Sequence, residues 1–247
     1  HIGRTLAREL RVRGLMNLQL AIKDGIIYIL EVNPRASRTV PFVSKATHNQ
    51  WPAIAAKVMM GKTLDELGAR EFQPSSWYAV KESVFPFSKF PGVDVVLGPE
   101  MRSTGEVMGI DRTFEIAFAK SQMACGVFLP TDPAKGGIFV SVRDDDKHTI
   151  IDPIRRLARI GFAIHATGGT ADLLESASIP VNRLQKIAAG ARPNVLDLMS
   201  NGQIAMVINT PTRTGYQTDE GKIRATSVRL NIPLISTTAA ADAAARA

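Results

Sequence analysis

The sequence has little of the features that mark secreted, membrane-spanning or nucleic-acid-binding proteins. Cys125 is the single cysteine among 247 residues, which excludes an intrachain disulfide and a metal site with several cysteine ligands. No run of eighteen apolar residues is present, which argues against a transmembrane helix. The 30 Lys and Arg residues are dispersed, not clustered with aromatic residues, which argues against nucleic-acid binding. We therefore expect a soluble, cytoplasmic protein with neither nucleic-acid nor membrane partners.

What is present fits an ordinary globular protein. Hydrophobic residues make up 45% of the chain and the net charge is +7, so anionic small molecules are suitable ligands. The chain begins at His1 without a methionine and enters a helical pattern directly. We treat it as a fragment and expect that further sequence precedes it in the working protein.

An antiparallel hairpin is predicted near the N-terminus. Two β-rich runs, 15–22 and 26–32, are separated by Lys23-Asp24-Gly25. The glycine can take the positive φ that a tight turn requires, so the two runs are predicted to pair.

Polar residues on this hairpin suggest a site for a metal ion and phosphate. Glu31 and Asn33 are two residues apart and project from one face of a strand, and Gln19 comes from the partner strand. Their oxygens suit Mg²⁺ shared with nucleotide phosphates, and Arg35 and Arg38 suit the phosphates themselves. Spacing alone leaves open that Glu31 and Asn33 merely lie on the solvent face of an edge hairpin.

Regular alternation of strands and helices begins after a stretch rich in proline and glycine that holds one predicted helix, 113–123. Alternation of this kind predicts an α/β fold with a doubly wound parallel sheet, whose ligands bind at the carboxyl ends of the strands. The predicted strands are 138–142, 163–166, 181–183, 204–208 and 234–236; the predicted helices are 149–160, 171–177, 195–201, 220–231 and a final Ala-rich segment.

Residues able to bind phosphate follow several of these strands. Thr167-Gly168-Gly169-Thr170 lies between a strand and a helix, where backbone N–H groups favour an anion, and Thr170 is a suitable N-cap. Lys147, Lys186 and the run 209–212 also fall at strand ends, so the set suits a nucleoside monophosphate. The alternative is a tight glycine turn, a capping threonine and solvated lysines. Asp144 to Asp146 favour a loop with an N-cap over a metal site.

Longer strings identify a family. Residues 14–47, which include LEVNPRASRTVPFVSKAT, resemble the end of an ATP-grasp domain, in detail that of the second ATP-using half of carbamoyl phosphate synthetase. Residues 83–122, from SVFPFSKFPGVD to FAKSQ, are similar to the same family. In that family this half phosphorylates carbamate with ATP to give carbamoyl phosphate, for arginine and pyrimidine synthesis.

The resemblance implies roles for the hairpin residues. Gln19, Glu31 and Asn33 would coordinate Mg²⁺ or Mn²⁺ bridging the phosphates of ATP, with the catalytic residues Arg35 and Arg38 near the transferred phosphoryl group. The nucleotide-binding strands and lid that precede this stretch in the family are not in the chain, so we expect the fragment alone to be inactive.

The second half resembles the methylglyoxal-synthase-like regulatory domain of the same large subunit, through SVRDDDK, HATGGTADLL and VINTPTRTG. The resemblance implies that uridine monophosphate (UMP) or inosine monophosphate (IMP) acts as effector. The residues carried over are Lys147, Thr167, Thr170, Lys186, Asn209, Thr212 and Ser236 or Thr237. Pro211 and the pair Ala188-Ala189 depart from the polar residues of many members, which leaves the identity of the effector open.

The resemblance also implies partners and a domain division. Glu82 occupies the place of a carboxylate that binds the activator ornithine in some bacterial members, with a surface carboxylate as the alternative. We expect an ATP-grasp end over 1–75, an irregular connector with a helix over 76–134 and the regulatory domain over 135–247. A small glutaminase subunit and an oligomer are expected. The rival functions are a freestanding nucleotide-binding regulatory module and a methylglyoxal synthase, although the Gly-Gly-Asp pattern of the latter is missing.

Overall fold

The first of two units in the chain, His1–Ser76, is built on a two-stranded sheet. The computed structural model describes residues 1–72, 76–87, 103–211, 215 and 217–247. The elements of this unit are α1 (Ile2–Glu9), β1 (Asn17–Lys23), β2 (Ile26–Asn33), α2 (Thr39–Thr47) and α3 (Trp51–Met59).

Strands β1 and β2 form the predicted antiparallel hairpin. Asp24 and Gly25 both have positive φ, 52° and 76°, which matches the two-residue turn that suits the right-handed twist of paired strands. The register runs from Asn17 opposite Asn33 to Lys23 opposite Ile26, with one irregularity after Gln19.

The hairpin carries apolar side chains that this unit leaves in solvent. Ile22 and Leu30 are 74% and 64% exposed. Among the described residues of the unit, Ala55 on α3 is the one hydrophobic residue that is buried. The N-terminal unit therefore has almost no core of its own.

The second unit, Trp77–Ala247, begins with a hairpin and a helix. These are β3 (Tyr78–Val84), antiparallel to β4 (Gly105–Asp111), and α4 (Phe114–Ala124), which packs on both strands. The predicted helix 113–123 corresponds to α4, and the described parts of 76–134 also contain the hairpin of β3 and β4. Strand β4 was hard to recognise from the sequence because it contains Gly105 and Gly109, and glycine is a poor strand former.

The remainder of the second unit contains a five-stranded parallel sheet in the order β7-β6-β5-β8-β9. The doubly wound fold predicted from alternation is confirmed. Its elements are β5 (Gly137–Ser141), α5 (Lys147–Ile160), β6 (Ile164–Thr167), α6 (Gly168–Ser176), β7 (Asn182–Leu184), α7 (Val195–Ser200), β8 (Ile204–Asn209), α8 (Asp219–Arg229), β9 (Leu234–Ile235) and α9 (Thr238–Arg246).

Helices cover both faces of this sheet, and alternate residues of β5 divide between them. Ile138 and Val140 pack in a cluster with residues of α5, α6 and α9. Phe139 points the other way, into a cluster with residues of α7 and α8. A central parallel strand buried on both faces has the continuous apolar sequence observed here.

The strand order reverses between β5 and β8: β6 and β7 extend the sheet on one side of β5, whereas β8 and β9 extend it on the other side. Crevices at the carboxyl ends of strands beside such a reversal are where open α/β sheets bind ligands. Across the ranges that the structure describes, none of the helices combines the length and apolar character needed to cross a bilayer.

Candidate functional site

The hairpin brings the three predicted metal ligands to one face. Gln19 lies directly opposite Glu31 in the register, and Asn33 is two residues further along the same strand. The amide nitrogen of Asn33 donates a hydrogen bond to Oε1 of Glu31. This bond uses the amide nitrogen of Asn33, so the amide oxygen is the atom of this side chain that could bind a metal ion.

Two arginines follow the carboxyl end of β2. Nη1 of Arg35 donates to the carbonyl of Ala36 at 2.9 Å, and Arg38 is the residue that precedes α2. Both side chains are exposed. Their guanidinium groups carry the positive charge that suits an anionic ligand.

The donor set on the hairpin fits a hard divalent cation, since a carboxylate and two amide oxygens are the ligands such ions prefer. In the described part of the chain, no cluster of three or more His, Cys, Asp or Glu side chains is arranged to hold a metal ion. Glu31 would thus act with amides, and with the phosphates of a nucleotide, instead of with further carboxylates.

A second group of polar residues lies at the carboxyl ends of the parallel strands. We call it the carboxyl rim; its members are Lys147, Thr167, Gly168, Gly169, Lys186 and Asn209. Lys147 opens α5 after β5, the glycine pair opens α6 after β6, and Asn209 ends β8.

Both lysines of the carboxyl rim reach toward the glycine pair. A Cβ placed on Gly169 would lie 2.9 Å from Nζ of Lys147, and one placed on Gly168 would lie 3.3 Å from Cε and 3.8 Å from Nζ of Lys186. The two ammonium groups therefore converge on the N-terminus of α6, where unpaired N–H groups already favour an anion. A larger side chain at Gly169 would displace the end of Lys147, and Gly168 has a positive φ of 48° that favours glycine.

The structure corrects the role expected for Thr170. Thr167, not Thr170, is the N-cap residue of α6. Thr170 lies inside the helix, is 5% exposed, and its hydroxyl oxygen accepts a hydrogen bond from the backbone N–H of Val142 at 3.3 Å. A threonine after two glycines resembles a cap in sequence, but the helix starts at Gly168, so Thr170 lies within its first turn. Thr170 thus joins α6 to the end of β5.

Asn209 is fully buried at the end of β8. Its amide nitrogen donates to the carbonyl of Ser141 at 3.2 Å, and its oxygen accepts from Nη1 of Arg224 at 3.2 Å. Next to it, the hydroxyl of Thr210 accepts from the N–H of Arg143 at 3.0 Å. These bonds tie β5 and β8 together at the point where the strand order reverses. Thr212 lies outside the described residues.

Two of the three consecutive aspartates, Asp144 and Asp146, form ion pairs with residues next to their loop. Asp144 lies 2.7 Å from Nζ of Lys147, and Asp146 lies 2.9 Å from Nε of Arg143. The bond to Lys147 lowers the pKa of Asp144, since an adjacent cation favours the carboxylate. The loop is a short 3₁₀ turn that leads into α5.

Ser236 and Thr237 line a cavity in the second unit together with Glu82. We call this the Glu82 cavity; its volume is about 590 Å³ and its lining also includes Gln122, Cys125 and Arg224. The carboxylate of Glu82 accepts a hydrogen bond from Nε2 of Gln122 at 2.9 Å. The structure thus brings together residues that the sequence assigned to two different effectors.

Burial raises the pKa of Cys125 to about 11, and the negative charge of Glu82 adds to this. The thiol therefore stays protonated at neutral pH and acts as a small apolar group in the wall of the cavity.

Sequence reasoning missed Arg224 and Gln122. Arg224 lies on α8, is fully buried, and contacts both Asn209 and the Glu82 cavity. Helix α8 has a largely polar sequence, DEGKIRATSVR, so no periodic pattern singles out one arginine as internal. Gln122 was missed for a different reason: its hydrogen-bond partner, Glu82, is distant in sequence.

Two family models match the chain. Residues 3–67 match the carbamoyl-phosphate synthase L chain, ATP binding domain, and residues 149–236 match the MGS-like domain. The chain is 51% identical to the carbamoyl phosphate synthase large chain of Rhodopirellula baltica and 51% identical to that of Archaeoglobus fulgidus, in each case over 99% of this chain and 22% of the relative. It spans about a fifth of the length of these relatives.

Among solved structures, methylglyoxal synthase from Elizabethkingia anophelis matches 47% of this chain and 80% of its own, with 22% identity and a TM-score of 0.37. The order of the two matched domains and the high identity across the whole chain agree with the fold, with the polar residues of the first hairpin and with the carboxyl rim. The chain belongs to the family of carbamoyl phosphate synthase large chains and contains the end of its ATP-grasp domain followed by the MGS-like domain.

Proposed function

We propose that this chain is the C-terminal part of an enzyme that makes carbamoyl phosphate from bicarbonate, glutamine-derived ammonia and ATP. The observation that carries the proposal is the 51% identity over 99% of the chain, together with the polar face of Gln19, Glu31 and Asn33. In this proposal residues 1–75 complete the ATP site, residues 76–134 connect this part to the regulatory domain, and residues 135–247 form the regulatory domain that binds effectors. A glutaminase subunit is the partner, and the enzyme is an oligomer in the cytoplasm, where ATP is abundant.

The hairpin residues have distinct roles in this proposal. Gln19, Glu31 and Asn33 hold Mg²⁺ or Mn²⁺ through oxygen atoms, and Arg35 and Arg38 bind the phosphoryl oxygens. When bound, ATP with its metal ion supplies the phosphoryl group and neutralises its charge. Rigid pairing of β1 with β2 keeps the metal ligands on one face, so positioning and electrostatics are the contributions of the protein.

Substitution of Glu31 tests this role in the complete enzyme. Glu31→Gln removes the one carboxylate of the set, and we expect ADP phosphorylation by carbamoyl phosphate to fall at least about 100-fold. Asp24→Asn, at the turn of the same hairpin, is the matched control and should leave the rate nearly unchanged. Full activity of Glu31→Gln at limiting Mg²⁺ would show that the hairpin does not hold the metal ion.

We propose that the carboxyl rim binds the phosphate of a nucleoside monophosphate, UMP or IMP. Support comes from the approach of Lys147 and Lys186 to the glycine pair at the start of α6. Two ammonium groups and a helix N-terminus match the charge of a phosphate. Thr167 lies at the helix start and Asn209 at the sheet end of the same rim, while Thr170 supports the rim from within.

Calorimetric titration with UMP and with IMP tests the carboxyl rim. A charged hydrogen bond contributes about 1.5–3 kcal/mol, so we expect Lys147→Ala to weaken binding roughly 10- to 100-fold. Lys135→Ala removes the same charge just before β5, at the amino end of the sheet, and should have little effect. Equal weakening by the two variants would indicate a general charge effect and would contradict the site.

We propose the Glu82 cavity as the site for ornithine, the second effector. Glu82 supplies a carboxylate for an ammonium group, and Arg224 supplies a guanidinium for a carboxylate. Ser236 and Thr237 line the same space. A ligand with both charged groups, such as a basic amino acid, satisfies both ends of a cavity of about 590 Å³.

A further inference from the structure

The Glu82 carboxylate uses one of its two oxygens within the protein. Glu82 lies on β3, and its Oε2 accepts a hydrogen bond from Nε2 of Gln122 at 2.9 Å. Gln122 lies on α4, is 9% exposed, and lines the same cavity. No other described residue donates a hydrogen bond to this carboxylate. Within the described chain, Oε1 is therefore the oxygen that remains for a ligand.

The two basic head groups found in amino acids use a carboxylate in different ways. An ammonium group is a compact charge that is satisfied by a single oxygen. A guanidinium group is a planar fork whose strong pairing with a carboxylate uses two parallel bonds, one to each oxygen. Because Gln122 already occupies Oε2, an ammonium group keeps its full partner at Oε1, whereas the fork lacks its second acceptor.

We infer that Gln122 is a specificity-determining residue, which makes the Glu82 cavity select a basic amino acid with an ammonium group over one with a guanidinium group. The inference rests on the function proposed for this cavity. Gln122 acts on the ligand through Glu82, because its hydrogen bond decides how many carboxylate oxygens are offered.

The packing of α4 keeps Gln122 in reach of Glu82. A Cβ at Gly109 would lie 1.9 Å from the carbonyl oxygen of Ala117, so the backbone of α4 lies directly on β4. Strand β4 is paired with β3 along its length, with Val107 opposite Glu82. The helix that carries Gln122 and the strand that carries Glu82 are thus parts of one packed unit.

Neither size nor hydration explains a preference for an ammonium group. The cavity volume of about 590 Å³ falls within the range of pockets that hold drug-sized ligands, about 300–1,000 Å³, so the longer side chain of arginine also fits. A guanidinium group is more weakly hydrated than an ammonium group, so it loses less on leaving water. The occupied oxygen of Glu82 is the feature that disfavours it.

Calorimetric titration of the full chain with ornithine and with arginine tests the inference. One hydrogen bond to a charged group corresponds to about a tenfold change in affinity or more, so we expect ornithine to bind at least about tenfold more tightly than arginine. Gln122→Met keeps a side chain of similar length but removes the N–H donor. In this variant both oxygens are open to arginine, and the ratio should fall at least about fivefold.

Gln203→Met is the matched control, because Gln203 is exposed just before β8, and it should keep the ratio of the unaltered protein. If Gln122→Met folds and keeps that ratio, Gln122 does not determine the specificity. If arginine binds the unaltered protein as tightly as ornithine does, the inference is wrong although the cavity still binds basic amino acids. If neither amino acid binds, the function proposed for the cavity fails as well.

A ligand series on the unaltered protein decides the case in which Gln122→Met does not fold. Lysine carries an ammonium group on a chain one methylene longer than that of ornithine. The amino acid 2-amino-4-guanidinobutyrate carries a guanidinium group on a chain one methylene shorter than that of arginine. We expect lysine to bind more tightly than either guanidinium ligand. Affinities that follow chain length and not the head group would overturn the inference.

Discussion

At the scale of single residues, burial decides which polar groups act as ligands and which hold the fold. Thr170 and Asn209 are both polar residues of the second unit that sequence suggested as nucleotide contacts. The structure buries both side chains. Thr170 bonds to the backbone of Val142, just after β5, and Asn209 bonds to the backbone of Ser141, the last residue of β5. Lys147 and Lys186 remain the groups that approach the glycine pair. The positive charge of the carboxyl rim therefore comes from Lys147 and Lys186. The buried hydrogen bonds of Thr170 and Asn209 stabilise the backbone around these lysines.

His165 makes folding stability depend on pH. Burial lowers its pKa, and its Nδ1 has no hydrogen-bond partner among the described residues. The unfolded state therefore binds a proton more readily than the folded state, so stability is lost as pH falls below the ordinary histidine value, about 6.5. We expect urea unfolding to show a larger loss between pH 7.5 and 5.5 in the unaltered protein than in His165→Gln.

His148→Gln serves as the control for this experiment, because His148 is exposed at the start of α5. This variant should lose stability over the same pH range as the unaltered protein does. An unchanged pH dependence in His165→Gln would show that another group is responsible.

At the scale of elements, Gly109 allows α4 to lie close on β4. A Cβ at this position would be 1.9 Å from the carbonyl oxygen of Ala117 and 2.6 Å from the backbone nitrogen of Ser121. Both are backbone atoms of α4, so they cannot move without the helix. The glycine that weakens the strand pattern in sequence is thus the one that permits this packing.

Gly109→Ala should therefore destabilise the protein by about 3 kcal/mol, at the upper end of the usual cost of overpacking. Urea unfolding monitored by circular dichroism gives the value. Gly105→Ala lies on the same strand, where a Cβ meets nothing within 4 Å, and should be nearly neutral. Similar losses in both variants would indicate a general cost of alanine in β4 in place of a clash with α4.

At the scale of the whole molecule, the two units differ in how much apolar surface they bury. Nearly all of the buried hydrophobic residues in the described chain belong to Trp77–Ala247, and Ala55 is the exception. Since burial of apolar surface is the main favourable contribution to folding, the second unit should be the stable one.

We expect residues 77–247, expressed alone, to unfold cooperatively with a midpoint close to that of the full chain. Residues 1–76 alone should show no cooperative transition, because their exposed apolar strands lack a core. Thermal melts followed by circular dichroism provide the comparison. A cooperative transition in 1–76, or its loss in 77–247, would contradict this division of stability.

Much of the fold and part of the site can be predicted from local sequence. The Asp24-Gly25 pair defines the turn of the first hairpin, and alternation of apolar strands with amphipathic helices after residue 135 predicts the parallel sheet. The position of the glycine pair after β6 likewise predicts an anion site at the start of α6. Each of these signals is contained in a few consecutive residues, where backbone preference and the spacing of apolar side chains act directly.

Tertiary structure alone decided which distant residues share a site. Glu82, Gln122, Arg224 and Thr237 meet in one cavity, and Thr170 turns inward to the backbone after β5. No local pattern specifies these contacts, because they depend on how elements distant in sequence, such as α4 and α8, are placed around the cavity and on which polar groups that packing removes from water. The sequence by itself thus determined the elements and the family, while packing decided which polar side chains meet and which of them remain open to a ligand.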